Sequence, residues 1–324
     1  MAQIDKLQYI KDLNEGDKVT SLFAVKFKKP IREYVNGYMF EMRLADRTGE
    51  LTAKYWGDRN IAEIQTLYDS FNKGDVLYVT GVVNEYMGTL EIGISKSEYH
   101  KIVKQKSFEL KDFVESVTRD LDEMLVELGH LIKSVKDPHL RQLLENIFKD
   151  EKFVSKFKIM PASMMYHQNK LGGLLEHTLN VAKICQTILA IHPPLDSDLL
   201  ISGALLHDVG KVFELYVSTV IDVTEEGMLR GHTVLGEEFV LRKIEEIIGF
   251  PDLLKLKIAH LILSHHGELE FGAVKKPQLP EAVALHYADY CDAKVDIYLR
   301  EKGEARTEDL WVWSKLIKGH VYLK

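Results

Sequence analysis

Hydrophobic and polar residues alternate through the first third of the chain. From Lys18 to Ser95 apolar residues recur at every second position, as in Tyr38, Phe40, Met42 and Leu44. A period of two is typical of β-strands that bury one face. It predicts five strands, at about 18–28, 37–45, 51–57, 75–84 and 89–95.

A helix interrupts this series of strands. Between the third and fourth strands the apolar residues follow helical spacing, at Ile61, Ile64, Leu67, Tyr68 and Phe71. Tight turns are predicted at Asp46-Arg47-Thr48-Gly49 and at Tyr86-Met87-Gly88. Three strands, a helix and two strands within about 85 residues fit a small closed barrel of the OB type, with the helix covering one end.

Helical spacing dominates the rest of the chain. It predicts helices over Leu174–Ile191, Ser197–Asp208, Thr233–Ile248, Asp252–Ser264 and Pro280–Leu299. Between them, Phe213–Leu229 is rich in β-branched residues around a Glu226-Gly227 turn and predicts an inserted β-hairpin. The predicted fold is multidomain, with an N-terminal all-β OB-type barrel over 1–104, a helical connector over 105–150 and a mostly α-helical domain over 151–324.

Composition narrows the class of protein. The chain has 324 residues, of which 46% are hydrophobic and 28% charged, as in ordinary globular proteins. Its longest apolar run, near 199–206, is too short to span a membrane, and no signal peptide opens the sequence. We therefore expect a cytoplasmic protein without a membrane partner. Two separated cysteines, Cys185 and Cys291, exclude a disulfide framework and a zinc ribbon.

Charge and histidine are concentrated in the second part of the chain. Up to Lys104 there are 15 Lys+Arg and 15 Asp+Glu, whereas 27 and 34 follow, so the net charge of -7 arises there. Ten of the 13 histidines lie after Tyr166. This composition favours a metal site and disfavours a large basic surface for duplex DNA.

Several histidines and aspartates fall on or beside apolar faces. His177 alone fits a hydrogen-bonded core residue as well as a metal ligand. His207-Asp208 ends an almost wholly apolar helix, where neither side chain is stable unpaired. Because Gly210 and Lys211 follow, the same pair also fits a helix C-terminus with its usual cation. Both alternatives stay open on these residues alone.

Further polar residues favour the metal interpretation. His232 precedes a helix, His265-His266 ends another, and Asp289 lies inside an alanine-rich one. Unpaired buried charge is too costly to recur by accident, and shared divalent cations would satisfy these groups. Imidazole and carboxylate donors without thiolate favour Mn²⁺, Fe²⁺, Co²⁺, Ni²⁺ or Zn²⁺, and so many candidate ligands fit two metals better than one.

The motifs resemble those of the HD-domain metal-dependent phosphohydrolases. The matching strings are Gly172-Gly173-Leu174-Leu175-Glu176-His177-Thr178, His207-Asp208-Val209-Gly210-Lys211, Gly231-His232 and Ser264-His265-His266-Gly267. With an OB-type domain ahead of this HD domain, the whole chain resembles the YhaM family of 3′-5′ exoribonucleases. The resemblance implies an OB barrel followed by a mostly α-helical HD domain with an inserted β-hairpin.

The resemblance also implies roles for individual residues. The core metal ligands would be His177, His207, Asp208 and Asp289, with Asp208 bridging, and the second metal would be held among His232, His265 and His266. Mn²⁺ is the expected metal. Lys211 would neutralise phosphate charge beside the catalytic Asp208, and His167 would lie near the substrate phosphate. A surface helix position is the alternative for His167, and Asp292 and Asp296 are expected to support ligands or face solvent.

The implied chemistry is metal-assisted hydrolysis of a phosphodiester. Two cations generate hydroxide from a bridging water at neutral pH and stabilise the leaving oxygen, so no nucleophilic side chain is required. The sequence accordingly contains neither a nucleophile motif nor a G-x-x-x-x-G-K-[ST] phosphate loop.

The OB-type barrel predicts a single-strand partner, RNA or DNA, because such barrels stack bases on exposed aromatics. Its expected contacts are Lys28, Arg43, Tyr55 and Trp56, although alternation should leave only one of the two aromatics outward. The best-supported function is a metal-dependent 3′-5′ exonuclease of single-stranded RNA. The alternatives are a phosphodiesterase of free or cyclic nucleotides whose OB domain serves homo-oligomerisation, and a non-catalytic binding protein, which the complete ligand set disfavours.

Overall fold

The protein consists of two compact units. Its computed structural model describes residues 5–96, 101–163, 170–305 and 307–324. One unit comprises Met1–Glu115 with Val217–Val220, and the other comprises Ser116–Tyr216 with Ile221–Lys324. Among the described residues, no helix is both long and apolar enough to cross a membrane.

The first unit is a closed antiparallel-rich barrel. Its strands are β1 (Lys18–Lys28), β2 (Arg32–Tyr34), β3 (Gly37–Asp46), β4 (Gly49–Trp56), β5 (Val76–Tyr86), β6 (Thr89–Ser95) and β7 (Ile102–Gln105), with helix α1 (Ile61–Asp69) between β4 and β5. The order β1-β3-β4-β6-β5 closes because β5 also pairs with β1, and β4 and β6 run parallel. The predicted five-stranded OB barrel is confirmed, and so are both turns, which link β3 to β4 and β5 to β6.

The barrel is filled by the inward half of each alternating pattern. Phe23, Phe40, Leu77 and Ile92 are fully buried, and Ile64 of α1 packs into the same core. Full burial of such a side chain contributes roughly 1.5–3 kcal/mol, so this core stabilises the barrel and holds α1 over it. The sequence pattern missed β2 and β7 because strands of three and four residues are too short to show alternation.

The remainder of the chain is mostly helical, as predicted. Its helices are α2 (Leu121–Ser134), α3 (Pro138–Phe148), α4 (Glu151–Phe157), α5 (Gly173–Ile191), α6 (Ser197–Leu206), α7 (Lys211–Glu214), α8 (Glu225–Glu245), α9 (Asp252–Ser264) and α10 (Pro280–Glu304). A hairpin joins β8 (Leu215–Val217) to β9 (Ile221–Val223), and a second joins β10 (Trp311–Ser314) to β11 (Gly319–Tyr322).

Several predicted boundaries differ from the observed ones, and side-chain capping explains two of them. The helical connector does not begin at Gln105, because the Asp120 side chain caps α2 and sets its start at Leu121. The first hairpin is also shorter than predicted, and Glu226-Gly227 is not its turn. Thr224 Oγ1 accepts a hydrogen bond from the backbone N–H of Gly227 at 2.9 Å, which starts α8 there instead.

Candidate metal centre and nucleic-acid interface

Five helices bring imidazole and carboxylate groups to one place in the second unit. α5, α8 and α10 contribute residues from within the helix, whereas α6 and α9 contribute the residues that follow their last turns. The buried members are His177, His207, Asp208, His265 and Asp289, none more than 7% exposed. His232 and His266, both half-buried, complete the set. All seven side chains that the sequence suggested as metal ligands are thus close together.

The histidines form two clusters that could each hold a metal ion. The first cluster is His177, His207 and Asp289, and the second is His232, His265 and His266. Within each cluster the three ligand atoms lie within 4.8 Å of one another.

Asp208 lies between the two clusters. Its Oδ2 is 3.6 Å from Nε2 of His177 and 3.4 Å from Nε2 of His207, both in the first cluster. Its Oδ1 is 3.5 Å from Nε2 of His232 and 3.5 Å from Nε2 of His265, both in the second. One carboxylate therefore faces each cluster with a different oxygen, which is the arrangement of a bridging ligand.

Backbone carbonyls orient one histidine in each cluster. Nδ1 of His207 lies 2.8 Å from the carbonyl oxygen of Ala204, and Nδ1 of His265 lies 2.7 Å from that of Ile262. A carbonyl can only accept, so Nδ1 carries the proton and Nε2 keeps its lone pair. Both Nε2 atoms then face Asp208 as potential ligands.

Carboxylates orient a second histidine in each cluster. Nδ1 of His177 lies 2.7 Å from Oδ2 of Asp292, and Nδ1 of His232 lies 3.1 Å from Oε2 of Glu214. Such contacts fix the ring and its tautomer around a metal. Asp292 has the supporting position expected for it, whereas Glu214 was missed. The only signal for Glu214 is a carboxylate at the end of a short, largely buried helix.

Glycines permit the approach of α7 to α8. A Cβ on Gly210 would overlap the carbonyl oxygen of His232, so only glycine fits between the α6–α7 turn and α8. Gly231 has φ 71° and ψ 158°, which breaks α8 just before His232. The break frees the backbone N–H of His232, which donates to Oε1 of Glu214 at 3.1 Å.

Asp208 and Asp289 are ionised despite their burial. Burial raises the pKa of the Asp208 carboxyl, but the ammonium group of Lys211 and the neighbouring His207 ring outweigh it and hold that pKa well below its usual range. Burial likewise opposes ionisation of Asp289, and its hydrogen bond to His177 lowers the pKa of that carboxyl. Burial also lowers the pKa of His177, yet Asp289 raises it to about 9. Both carboxylates are therefore anionic.

His265 and His266 of the second cluster are neutral. Burial, followed by the repulsion that a proton would meet beside His265 and His232, lowers the pKa of His266 to about 2. Burial lowers the pKa of His265 as well. Neutral imidazole is the form that binds a metal ion.

Two buried atoms without hydrogen-bond partners also indicate that these residues fit a divalent cation. Oδ1 of Asp208 and Nε2 of His265 are fully buried and have no hydrogen-bond partner in the described part of the chain. Leaving such a group unsatisfied costs about 1–3 kcal/mol, whereas a cation between them would use both lone pairs. Imidazole and carboxylate donors without thiolate suit the metals predicted from the sequence.

Lys211 begins α7 and is 5% exposed. Its Nζ donates to Oδ2 of Asp208 at 2.6 Å, so the ammonium bonds the carboxylate and not the carbonyl groups that end α6. His167, the other predicted catalytic residue, lies outside the described residues.

On the barrel, two of the four predicted contacts face outward. Arg43 of β3 is partly exposed and its Nη1 donates to Oγ1 of Thr52 at 3.2 Å. Trp56 of β4 is half-buried and meets the ring of Tyr34 edge-on at 5.0 Å between centroids. Both side chains lie on the outer face of neighbouring strands.

Tyr55 lies in the core and not on the outer face as predicted, and Lys28 is bonded within the fold. Tyr55 is 9% exposed and stacks on Phe40, with ring centroids 5.2 Å apart, because the period of two sends it into the barrel. Lys28 uses its ammonium group within the fold. It donates to the carbonyl oxygens of Tyr68, in the last turn of α1, and of Phe71, just after the helix, and it lies 3.9 Å from the centroid of the Tyr68 ring.

Comparison with known proteins identifies both parts of the chain. Residues 174–294 match the HD domain family, and residues 25–98 match the family described as OB-fold nucleic acid binding domain. Among solved structures, that of a replication protein A heterotrimer bound to single-stranded DNA is similar over 37% of this chain and 29% of its own. The sequence identity is 20% and the TM-score is 0.27.

Curated relatives extend over most of the chain. The 3′-5′ exoribonuclease YhaM of Shouchella clausii is 33% identical over 78% of this chain and 76% of its own. The proteins of the same name from Bacillus subtilis and Bacillus velezensis are each 31% identical, over 81% and 86% of both chains. At this identity over more than three quarters of each chain, the chain belongs to the YhaM family of 3′-5′ exoribonucleases.

Proposed function

We propose that this protein is a metal-dependent 3′-5′ exoribonuclease that hydrolyses single-stranded RNA in the cytoplasm. The observation that carries the proposal is the position of Asp208, whose two oxygens face two separate histidine clusters. A site for two cations beside a shared carboxylate is typical of phosphodiester hydrolysis. The relatives named for this activity and the OB barrel support RNA as the substrate.

Each cluster would hold one cation, for which we propose Mn²⁺. The first cluster would bind with Oδ2 of Asp208 and the second with Oδ1. When bound, two such cations supply an activated water and stabilise negative charge on a phosphoryl group.

The chain's own residues prepare this site. The contacts at Nδ1 hold four imidazole rings with Nε2 directed inward, and burial excludes bulk water. Lys211 balances the charge of Asp208, and we propose that it also offsets the charge of the phosphoryl group. His167 stays a candidate contact to the substrate phosphate.

The barrel would hold the strand by its outer face. Arg43 supplies a guanidinium for phosphate, and Trp56 supplies a ring for base stacking. Since the first 104 residues carry no net charge, we expect weak binding, which suits an enzyme that must release its product and step along the strand.

The test is digestion of a 5′-labelled single-stranded RNA by the purified full-length protein with Mn²⁺. We expect a ladder that shortens from the 3′ end, and no digestion with EDTA or with Asp208→Asn. Asp252→Asn, which removes a carboxylate from the exposed start of α9, is the matched control and should digest normally. Intact RNA together with rapid hydrolysis of cyclic dinucleotides would contradict the proposal and favour the alternative phosphodiesterase.

A further inference from the structure

The hairpin of β10 and β11 exposes four aromatic rings on one face. Trp311 pairs with Tyr322 and Trp313 with His320 across the two strands. Directly opposed residues lie on the same face of an antiparallel pair, and so do alternate residues of each strand. The paired ring centroids are 4.9 and 5.0 Å apart. Together the rings form a continuous aromatic face, called here the aromatic hairpin.

The largest apolar groups of this hairpin lie on its exposed face. Its other face, with Ser314 1% and Val321 3% exposed, is the one that packs inward. The two tryptophans, by contrast, are 55% and 57% exposed. A hairpin selected only for folding would bury the tryptophans and expose the serine. Large aromatic groups kept in solvent indicate a binding surface.

The charge of the hairpin indicates the kind of ligand. The last 15 residues, 310–324, contain three lysines and no acidic residue, in a chain whose net charge is -7. Lys315 and Lys318 lie in the turn between the strands, and Lys324 follows β11. Within the described residues none of the three forms an ion pair, so their charge is available to an anionic partner.

We propose that the aromatic hairpin is a second binding site for single-stranded nucleic acid, separate from the outer face of the barrel. Bases would stack on the exposed rings while the lysines contact the phosphates, which is how sequence-tolerant single-strand binders combine the two groups. The choice of ligand rests on the proposed function. The hairpin belongs to the same unit as the metal centre, so that unit would have its own binding site for the strand.

Charge disfavours a symmetric contact between this hairpin and the hairpin of a second copy of the chain. Such a contact would bring the same lysines and rings together, and like charges would then face each other without acidic partners from this segment. A polyanion with flat bases complements both features.

Tryptophan fluorescence tests the proposal directly. The chain has three tryptophans, so Trp56→Phe leaves only Trp311 and Trp313 as reporters. We would titrate this full-length variant with oligouridylate in EDTA, where no hydrolysis is required. Saturable quenching is expected. Binding of a fluorescein-labelled strand without any change in tryptophan emission would overturn the proposal.

Affinity measurements provide the second arm. We would measure the binding of a labelled oligonucleotide by anisotropy in EDTA. Trp313→Ala should weaken binding about tenfold, and Trp313→Phe should restore most of the affinity. The double variant Lys315→Gln/Lys318→Gln should reduce the salt dependence of binding. Tyr287→Ala, which removes a 63% exposed ring from α10, is the control and should bind normally. Unchanged affinity of Trp313→Ala, with an altered oligomeric state in sedimentation, would assign the face to protein contact instead.

These arms are independent of the proposed function. A protein that binds the strand through the hairpin but digests no RNA would contradict only the proposed activity. One that digests RNA with the hairpin tryptophans unaffected would contradict only the hairpin site.

Discussion

The metal centre and the outer surface of the barrel differ in how far their residues could be inferred from the chain. Six of the seven suggested ligand residues form two clusters, and the seventh, Asp208, lies between them. Of four suggested barrel contacts, Tyr55 is in the core and Lys28 is bonded within the fold. Buried polar groups have few ways to be satisfied, so their pattern is informative. A surface lysine or tyrosine can serve the fold or a ligand equally well.

Removing the lysine of the metal centre should have a large effect on catalysis. Lys211 donates to Asp208 from a buried position, where a charge acts more strongly than at the surface. We expect Lys211→Ala to lower kcat/KM by roughly 10² to 10³ while the metal content is unchanged. Steady-state kinetics and metal analysis on one preparation measure both quantities.

A surface ion pair supplies the control for this prediction. Lys149 is 73% exposed beside Glu145, and Lys149→Ala should be fully active. If Lys211→Ala has wild-type turnover, its catalytic role is refuted. If metal is lost, Lys211 holds the site together.

Removing the carboxylates that contact Nδ1 of His177 and His232 should have a smaller effect on activity, and mainly through a loss of metal affinity. Asp292→Asn weakens the acceptor on Nδ1 of His177, and Glu214→Gln does the same for His232. Each should reduce the affinity for Mn²⁺ by about 10- to 100-fold. Titration of the apoprotein with Mn²⁺ measures this loss. Unchanged affinity in both variants would show that the geometry of the clusters does not depend on these contacts.

The smallest effects are expected on the barrel. Trp56→Ala should weaken the binding of an RNA oligonucleotide about fivefold or more, because one stacking ring is lost. Lys28→Met should leave affinity unchanged but lower the free energy of unfolding by about 1–3 kcal/mol, since two partly buried carbonyl groups lose a charged donor. Urea unfolding and anisotropy distinguish the two. A loss of affinity in Lys28→Met would restore the contact first predicted for it.

The elements were predictable where one periodicity continues for several turns or residues. The predicted helix over Asp252–Ser264 has the observed bounds of α9, and the first strand has those of β1. The predicted starts of α2 and α8 were wrong because side-chain caps set them. Asp120 and Thr224 begin these helices at positions that an apolar pattern does not locate.

The sequence predicted the candidate metal ligands but not which carboxylates orient them. Motif strings include His177 and His232, yet Asp292 and Glu214 reach them only through the tertiary fold, 115 and 18 residues away along the chain. The aromatic hairpin has no motif at all. Its exposed tryptophans resemble core residues until the structure shows which face packs inward.

The central claim is that one carboxylate joins two metal sites, and metal stoichiometry tests it most directly. Full-length variants dialysed against Mn²⁺ would be analysed by atomic emission, with circular dichroism to verify folding. We predict two Mn²⁺ per chain for the wild type, one for His177→Ala and one for His232→Ala, and weak, substoichiometric binding for Asp208→Ala because both sites lose a ligand. Two tightly bound Mn²⁺ in folded Asp208→Ala would contradict the account.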